Sequence, residues 1–258
     1  MLLYRVFKLL GQGLSDLFYP PQCLICQKSI PRSPRRNPRH SSLKEAAEFL
    51  CPPCLNQIRY NSPPFCVQCS RHLSEPLSYS RCKECRLRKP HFDFAWSACL
   101  YAEPLQGLIH QFKYGQKTLL RHIFGQLIFS FLRQYHLDIE QFDLVIPIPL
   151  FSTRQRERGY NQAQLLAQDL VKEFNLTLCL NNLARIRHTQ SQAQLCEKER
   201  WTNIQHAFKI KQPQNVIKKS ILLIDDLLTT GATASEAAFT LKEAGAKTVA
   251  VLTLAITP

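Results

Sequence analysis

Beyond residue 90 the apolar positions fall into blocks of two alternating periods. Phe92 to Glu103, FDFAWSACLYAE, alternates apolar and polar residues as a strand does. Leu105, Leu108, Ile109 and Phe112 then recur at the spacing of a helix face, with Lys113, Tyr114 and Gly115 as a stop. A second helix is predicted over Leu119 to Tyr135. The run FDLVIPIPL, Phe142 to Leu150, is a nearly continuous stretch of β-formers, the pattern of a strand buried on both faces of a parallel sheet. Asn161 to Glu173 is helical again. Leu183 to Asn203 is polar, charged and weakly periodic, and Ala207 to Ile210 is a candidate short strand. The end of the chain reads as strand Ser220 to Ile224, turn Asp225 to Gly231, helix Ala232 to Ala244, a stop at Gly245 and strand Thr248 to Leu254. Strands separated by helices predict an α/β domain over residues 91–258, its mainly parallel sheet flanked by helices.

Upstream of residue 90 the pattern differs. Leu3, Val6, Leu10, Leu14, Leu17 and Phe18 predict a short amphipathic helix over residues 1–19, without the apolar core and small-residue cleavage site of a signal peptide. Residues 20–90 are rich in Cys, Pro and Arg and carry no periodic apolar face, so they cannot build a conventional core of their own. Within them IPRSPRRNPRHSS, Ile30 to Ser42, reads as an exposed loop. A length of 258 residues accommodates two domains. No stretch approaches the roughly 20 apolar residues of a membrane-spanning helix, so a cytoplasmic protein is expected. The formal charge of +14 favours anionic partners, among them nucleic acid, an acidic membrane surface or a phosphorylated small molecule, without choosing between them.

Eight of the eleven cysteines form four CxxC pairs: Cys23 and Cys26, Cys51 and Cys54, Cys66 and Cys69, Cys82 and Cys85. In a reducing compartment such pairs are metal ligands rather than disulfides, because each forms a knuckle presenting two thiolates and two knuckles complete a zinc tetrahedron. The preferred pairing takes the first four cysteines as one zinc site and the last four as another. An interleaved pairing, first knuckle with third and second with fourth, stays open. Iron–sulfur or redox roles are disfavoured by the spacing and by the lack of a surrounding βαβ pattern. Cys99, Cys179 and Cys196 read as incidental small apolar residues.

The chemistry concentrates in ILLIDDLLTTGAT, Ile221 to Thr233. Two carboxylates follow an apolar strand, and three threonines with one glycine precede a helix. Backbone N–H groups of Thr229, Thr230, Gly231 and Ala232, at a helix N-terminus, can bind phosphate. The hydroxyls of Thr229, Thr230 and Thr233 add donors, and Asp225 and Asp226 can accept from the vicinal diol of a sugar. Upstream, Arg154, Arg156 and Arg158 cluster beyond the strand ending at Pro149, where planar cations suit a pyrophosphate.

The run Ile221 to Thr233 resembles the binding motif of type I phosphoribosyltransferases for 5-phosphoribosyl 1-pyrophosphate (PRPP). Together with VIPIP, RERGYNQAQLLA and RIRHTQSQAQLCEKERWTNIQHAF, the chain resembles the ComF/GntX family of phosphoribosyltransferase-like proteins with an N-terminal double zinc ribbon, here residues 20–90. The resemblance implies that Asp225 and Asp226 hold the ribose hydroxyls while Thr229, Thr230, Gly231, Ala232 and Thr233 wrap the 5-phosphate. It puts Pro149, Arg154, Arg158, Gly159, Asn161 and Gln162 in a pyrophosphate loop, and Thr189, Gln192, Arg200 and Asn203 in a segment that closes over the site. Lys113 joins Asp225, Asp226 and Arg158 as a catalytic candidate. HTQSQAQL lacks the proline that more often follows the threonine. A neutral Thr229, where enzymes acting on 6-oxopurines usually carry an aspartate, disfavours those bases. Magnesium is implied beside PRPP, as are displacement of pyrophosphate from C1 by an unidentified acceptor and a part in natural competence. The contrasting reading is a non-catalytic adaptor that binds single-stranded DNA or a DNA-uptake helicase. No general base is evident.

Overall fold

The computed structural model describes residues 22–30, 49–73, 80–189 and 197–258. The predicted helix over residues 1–19, most of the Pro/Arg loop, Cys196 and Gln192 lie outside them.

Four parallel strands form the central sheet: β1 Phe94–Leu100, β2 Leu144–Pro147, β5 Ser220–Leu228 and β6 Thr248–Ile256, in the order β1-β6-β5-β2. Strands β3 Leu183–Arg185 and β4 Phe208–Ile210 make a separate antiparallel pair. Helices α3 Leu105–Tyr114, α4 Leu120–Gln134 and α6 Gln162–Phe174 pack with one face of the sheet, and α8 Ala232–Glu243 with the other. Alternation along β5 explains both cores: Leu222 and Ile224 join the α4/α6 side, Ile221 and Leu223 the α8 side, all four fully buried.

Three departures from the sequence pattern bear on the site. Strand β5 does not stop at Ile224; its pairing with β6 continues through Asp225↔Thr253 to Leu228↔Ile256, so the two aspartates sit within an extended strand and the turn shrinks to Thr229–Gly231. The neighbouring strand supplies backbone partners that the polar side chains do not advertise. Residues Ser152–Arg158, read only as an arginine cluster, form helix α5, ended by Gly159 with φ of 78°. The weakly periodic stretch from Leu183 to Asn203 contains β3 and most of helix α7 Glu197–Ile204.

The cysteine-rich segment does not stand apart. Cys23, Leu50, Cys51, Cys54 and Ile58 are buried in the core on the α4/α6 side, and Cys66, Cys69, Cys82, Cys85 and Phe92 in the core on the α8 side. Between the two cysteine groups, residues 59–61 run antiparallel along the edge strand β1, with Asn61 N donating to Ala98 O at 2.9 Å and Leu100 N to Arg59 O at 2.9 Å. The segment thereby covers a sheet edge that would otherwise present unpaired backbone groups. The core it lacks by itself is the one it shares.

Candidate functional site

The site opens at the carboxyl ends of β2 and β5, where open parallel sheets place their ligands. A cavity of about 180 Å³ is lined there by both aspartates, by Thr229 and Thr233, and by Lys113, Arg154, Arg158, Arg185 and Arg200. Five cations against two carboxylates leave an excess of positive charge, which suits a polyanionic ligand.

Lys113 Nζ ion-pairs with Asp226 Oδ2 at 2.8 Å, the side chains being 19% and 9% exposed. Burial opposes the charge on Lys113, but Asp226 and Asp225 outweigh it and hold the ammonium above its usual pKa. Asp225 accepts a hydrogen bond from Asp226 N at 2.9 Å. Desolvation, with the adjacent Asp226 charge, pushes the Asp225 carboxyl up to about 7.

Arg158 is fixed by Gln162, whose Oε1 accepts from Nη1 at 2.9 Å, and lies over the ring of Tyr114 at 5.0 Å. Asn161 caps α6 by accepting from Ala163 N at 3.1 Å, and donates through Nδ2 to Ile148 O at 3.0 Å, which joins the helix to the end of β2. Asn161 and Gln162 are buried. Both line the cavity, yet their hydrogen bonds hold the loop together. Arg154 donates to Thr189 O at 3.1 Å.

Arg185, at the end of β3, escaped the sequence reading. It lies among the cavity cations, donates to Thr189 Oγ1 at 2.5 Å and passes over Phe208 at 5.7 Å. Burial first, and the charges of Arg154 and Arg158 after it, push its pKa down to about 10, with Asp225 acting in the opposite sense. A three-residue strand in a polar stretch carries no pattern that would single out one arginine among its neighbours.

Most sequence-predicted positions therefore converge: Lys113, Pro149, Arg154, Arg158, Asn161, Gln162, Arg200, Asp225, Asp226, Thr229 and Thr233 line one cavity. Others do not. Gly159, Ala232 and Asn203 are not among the lining residues, and Asn203 O instead accepts from Arg187 Nη2 at 2.8 Å. Thr230 and Gly231 line a second cavity behind the loop. Thr230 Oγ1 accepts from Ala232 N at 3.4 Å, and Gly231 takes a φ of 77°, a left-handed turn suited to glycine. Thr189 is buried, held by Arg154 and Arg185.

The cysteines form two groups, Cys23, Cys26, Cys51, Cys54 and Cys66, Cys69, Cys82, Cys85, with the four Sγ atoms of each group within 4.8 Å of one another. Cys26 and Cys51 Sγ lie 3.6 Å apart, as do Cys69 and Cys82 Sγ. A tetrahedron with Zn–S bonds of about 2.3 Å has S···S edges of about 3.8 Å, so both groups fit zinc. The pairing is sequential; the interleaved alternative is excluded. Four thiolates per group leave no open coordination position, so the metal would be structural.

The fold and site together define a protein with a mainly parallel sheet flanked by helices, a polyanion-suited cavity at its carboxyl edge and two four-cysteine zinc sites towards its N-terminal end. Residues 14–86 match the Double zinc ribbon domain family. The chain is 31% identical to Competence protein F of Haemophilus influenzae over 219 residues, covering 83% of this chain and 93% of that protein. It is 30% identical to DNA utilization protein YhgH of Shigella flexneri over 78% of this chain and 88% of the relative. With Competence protein ComFC of Bacillus subtilis it shares 27% identity over 91% of this chain and 92% of the relative. The chain belongs to the ComF family. Among the described residues, no helix is long and apolar enough to cross a membrane.

Proposed function

We propose that this protein binds PRPP and transfers its phosphoribosyl group to an acceptor with release of pyrophosphate, in a process linked to natural competence and DNA uptake. The observation that carries the reading is the meeting of Asp225, Asp226, Thr229 and Thr233 with Lys113, Arg154 and Arg158 in one cavity. In this reading the aspartates accept hydrogen bonds from the ribose 2- and 3-hydroxyls. The threonine loop and the N-terminus of α8 take the 5-phosphate: Ser235 N donates to Gly231 O as the helical ladder begins, so N–H groups ahead of it can turn to an anion. Lys113, Arg154, Arg158 and Arg185 face the pyrophosphate. As the C1–O bond breaks, its electron pair leaves with pyrophosphate and the sugar gains oxocarbenium character; the acceptor's lone pair then closes the new bond at C1. The cations stabilise charge on the leaving group as it develops. Two carboxylates beside substrate phosphates suit magnesium, which when bound would neutralise diphosphate charge. The boundary near residue 90 belongs to this proposal, with the double ribbon as a module that completes the transferase domain.

The test is isothermal titration with PRPP and magnesium, followed by assay of pyrophosphate release against nucleobases, amines and single-stranded DNA. Micromolar binding with release on one acceptor class is expected; no heat at millimolar PRPP would refute the assignment. Binding without release across the panel would favour the adaptor reading. That reading draws on an exposed basic face, Arg81, Lys83, Arg86 and Lys89 on and around helix α2 Lys83–Leu87, with Leu87 74% exposed among them. A role in handling DNA is in keeping with the relatives named for DNA utilization.

A pH dependence follows from Asp225. A carboxyl raised to about 7 must lose its proton before it can accept from two hydroxyls. Affinity should rise up to tenfold per pH unit below 7 and level off above it. Asp225→Asn should remove this component and leave only that of the ligand phosphates. The same raised pKa contributes to folding stability below the unfolded value of about 4, and that contribution is lost as pH climbs towards 7.

A further inference from the structure

The loop that separates the main cavity from the second one is held from behind by the second zinc ribbon. Arg71, two residues beyond Cys69, donates from Nη2 to Thr229 O at 3.1 Å and from Nε to Thr257 O at 3.3 Å. Its Nη1 pairs with Glu84 Oε2 at 2.9 Å. Glu84 lies between Cys82 and Cys85, and the main chain of Arg71 accepts from Cys66 N at 2.8 Å. The two knuckles of one zinc site therefore fix this guanidinium at both ends, one through the backbone and the other through a carboxylate. The small space behind the loop, about 20 Å³, is lined by Cys69, Arg71, Glu84, Phe92, Thr230 and Gly231.

We propose that Arg71 is a positioning residue for the anion-binding loop Thr229–Thr233, carrying the geometry of the second zinc site into the ligand cavity. The physical reason lies in the peptide plane. A trans peptide sets its N–H opposite its C=O, so drawing Thr229 O towards the ribbon turns the Thr230 N–H away from it. Thr257 Oγ1 also donates to Thr229 O, at 3.3 Å, but through a hydroxyl that rotates freely. The planar guanidinium, braced by Glu84, supplies the rigid partner. Zinc at Cys66, Cys69, Cys82 and Cys85 would thus set how the loop presents its donors as well as hold the ribbon.

The inference rests on the PRPP reading only for the identity of the ligand, so its test has two independent readouts. Arg71→Met keeps most of the stem volume and removes the fork. Amide hydrogen exchange of the free protein should accelerate at least tenfold in residues 228–234, with two zinc ions per chain retained and other segments unchanged. Glu84→Gln should produce a smaller acceleration in the same residues. Exchange unchanged in both variants, or raised throughout the chain, would overturn the proposal, because Arg71 would then hold nothing or hold the whole fold. Titration with PRPP and magnesium should show about tenfold weaker binding by Arg71→Met, and Arg71→Lys should recover part of the loss. If the parent protein does not bind PRPP, the ligand assignment fails and the exchange result alone decides the clamp. Parent-like PRPP affinity in Arg71→Met would overturn it.

Discussion

Asp226→Asn is expected to destabilise the protein and, on the proposed function, to weaken PRPP binding in one step, because the same carboxylate pairs with Lys113 and is the proposed acceptor for the sugar diol. The partner, Lys113, is mostly buried, and the 2.8 Å ion pair compensates its charge. Removing one member of a buried pair costs about 3–5 kcal/mol; the residual 19% exposure of Lys113 lets water recover part of that, so about 2–4 kcal/mol is expected. For a chain of this length that corresponds to a fall in Tm of roughly 5–15 °C. Lost hydrogen bonds to a sugar diol would cost a further factor of roughly 10–100 in affinity. The double variant Lys113→Met with Asp226→Asn separates the effects. Thermal melting should recover most of the stability, since no charge is left stranded, while titration should show binding still impaired. A melting point for Asp226→Asn within a degree of the parent would mean that Lys113 finds other solvation and that the ion pair contributes little.

Zinc removal should have the larger effect on folding. A structural zinc held by thiolates contributes roughly 10–16 kcal/mol in isolated zinc-finger peptides, comparable with the whole net stability of a domain at about 5–15 kcal/mol. In this protein seven of the eight ligands, all but the exposed Cys26, are buried in the cores on both faces of the sheet, so their loss should not be confined to a dispensable appendage. Chelation under mildly denaturing conditions is expected to abolish the cooperative melting of the sheet as well as the ribbons. Metal analysis of the parent should give two zinc ions per chain, and Cys23→Ser and Cys66→Ser should each lose one. A chelated chain that retains cooperative melting would show that residues 91–258 fold alone. Cys66→Ser also bears on the clamp, since Arg71 is braced by the second site, and Cys23→Ser, in the first site, is its control.

How much of this was legible beforehand depended on whether the information was local. Helices α3, α4, α6 and α8 were readable within a residue or two because each carries its own apolar face and stop. The aspartate pair and the threonine loop were readable because strand, carboxylates and helix start follow one another without interruption. Arg185, Arg71 and the end of β5 were not. Arg185 reaches the cavity because β3 pairs with β4, a strand well beyond it in the chain. Arg71 reaches Thr229 across 158 residues. Strand β5 extends past its aspartates because β6 offers backbone partners there.

By itself the sequence determined the alternation of strands and helices, the cysteine ligands and the residue types of an anion site, since periodicity, short spacing and turn chemistry act between neighbours in the chain. Tertiary structure alone decided which knuckles share a metal and which arginines share a cavity. It also decided that the ribbon completes the cores of the sheet and stands behind the Thr229–Gly231 turn. Those contacts join segments far apart in sequence, and packing, rather than any local preference, brings them together.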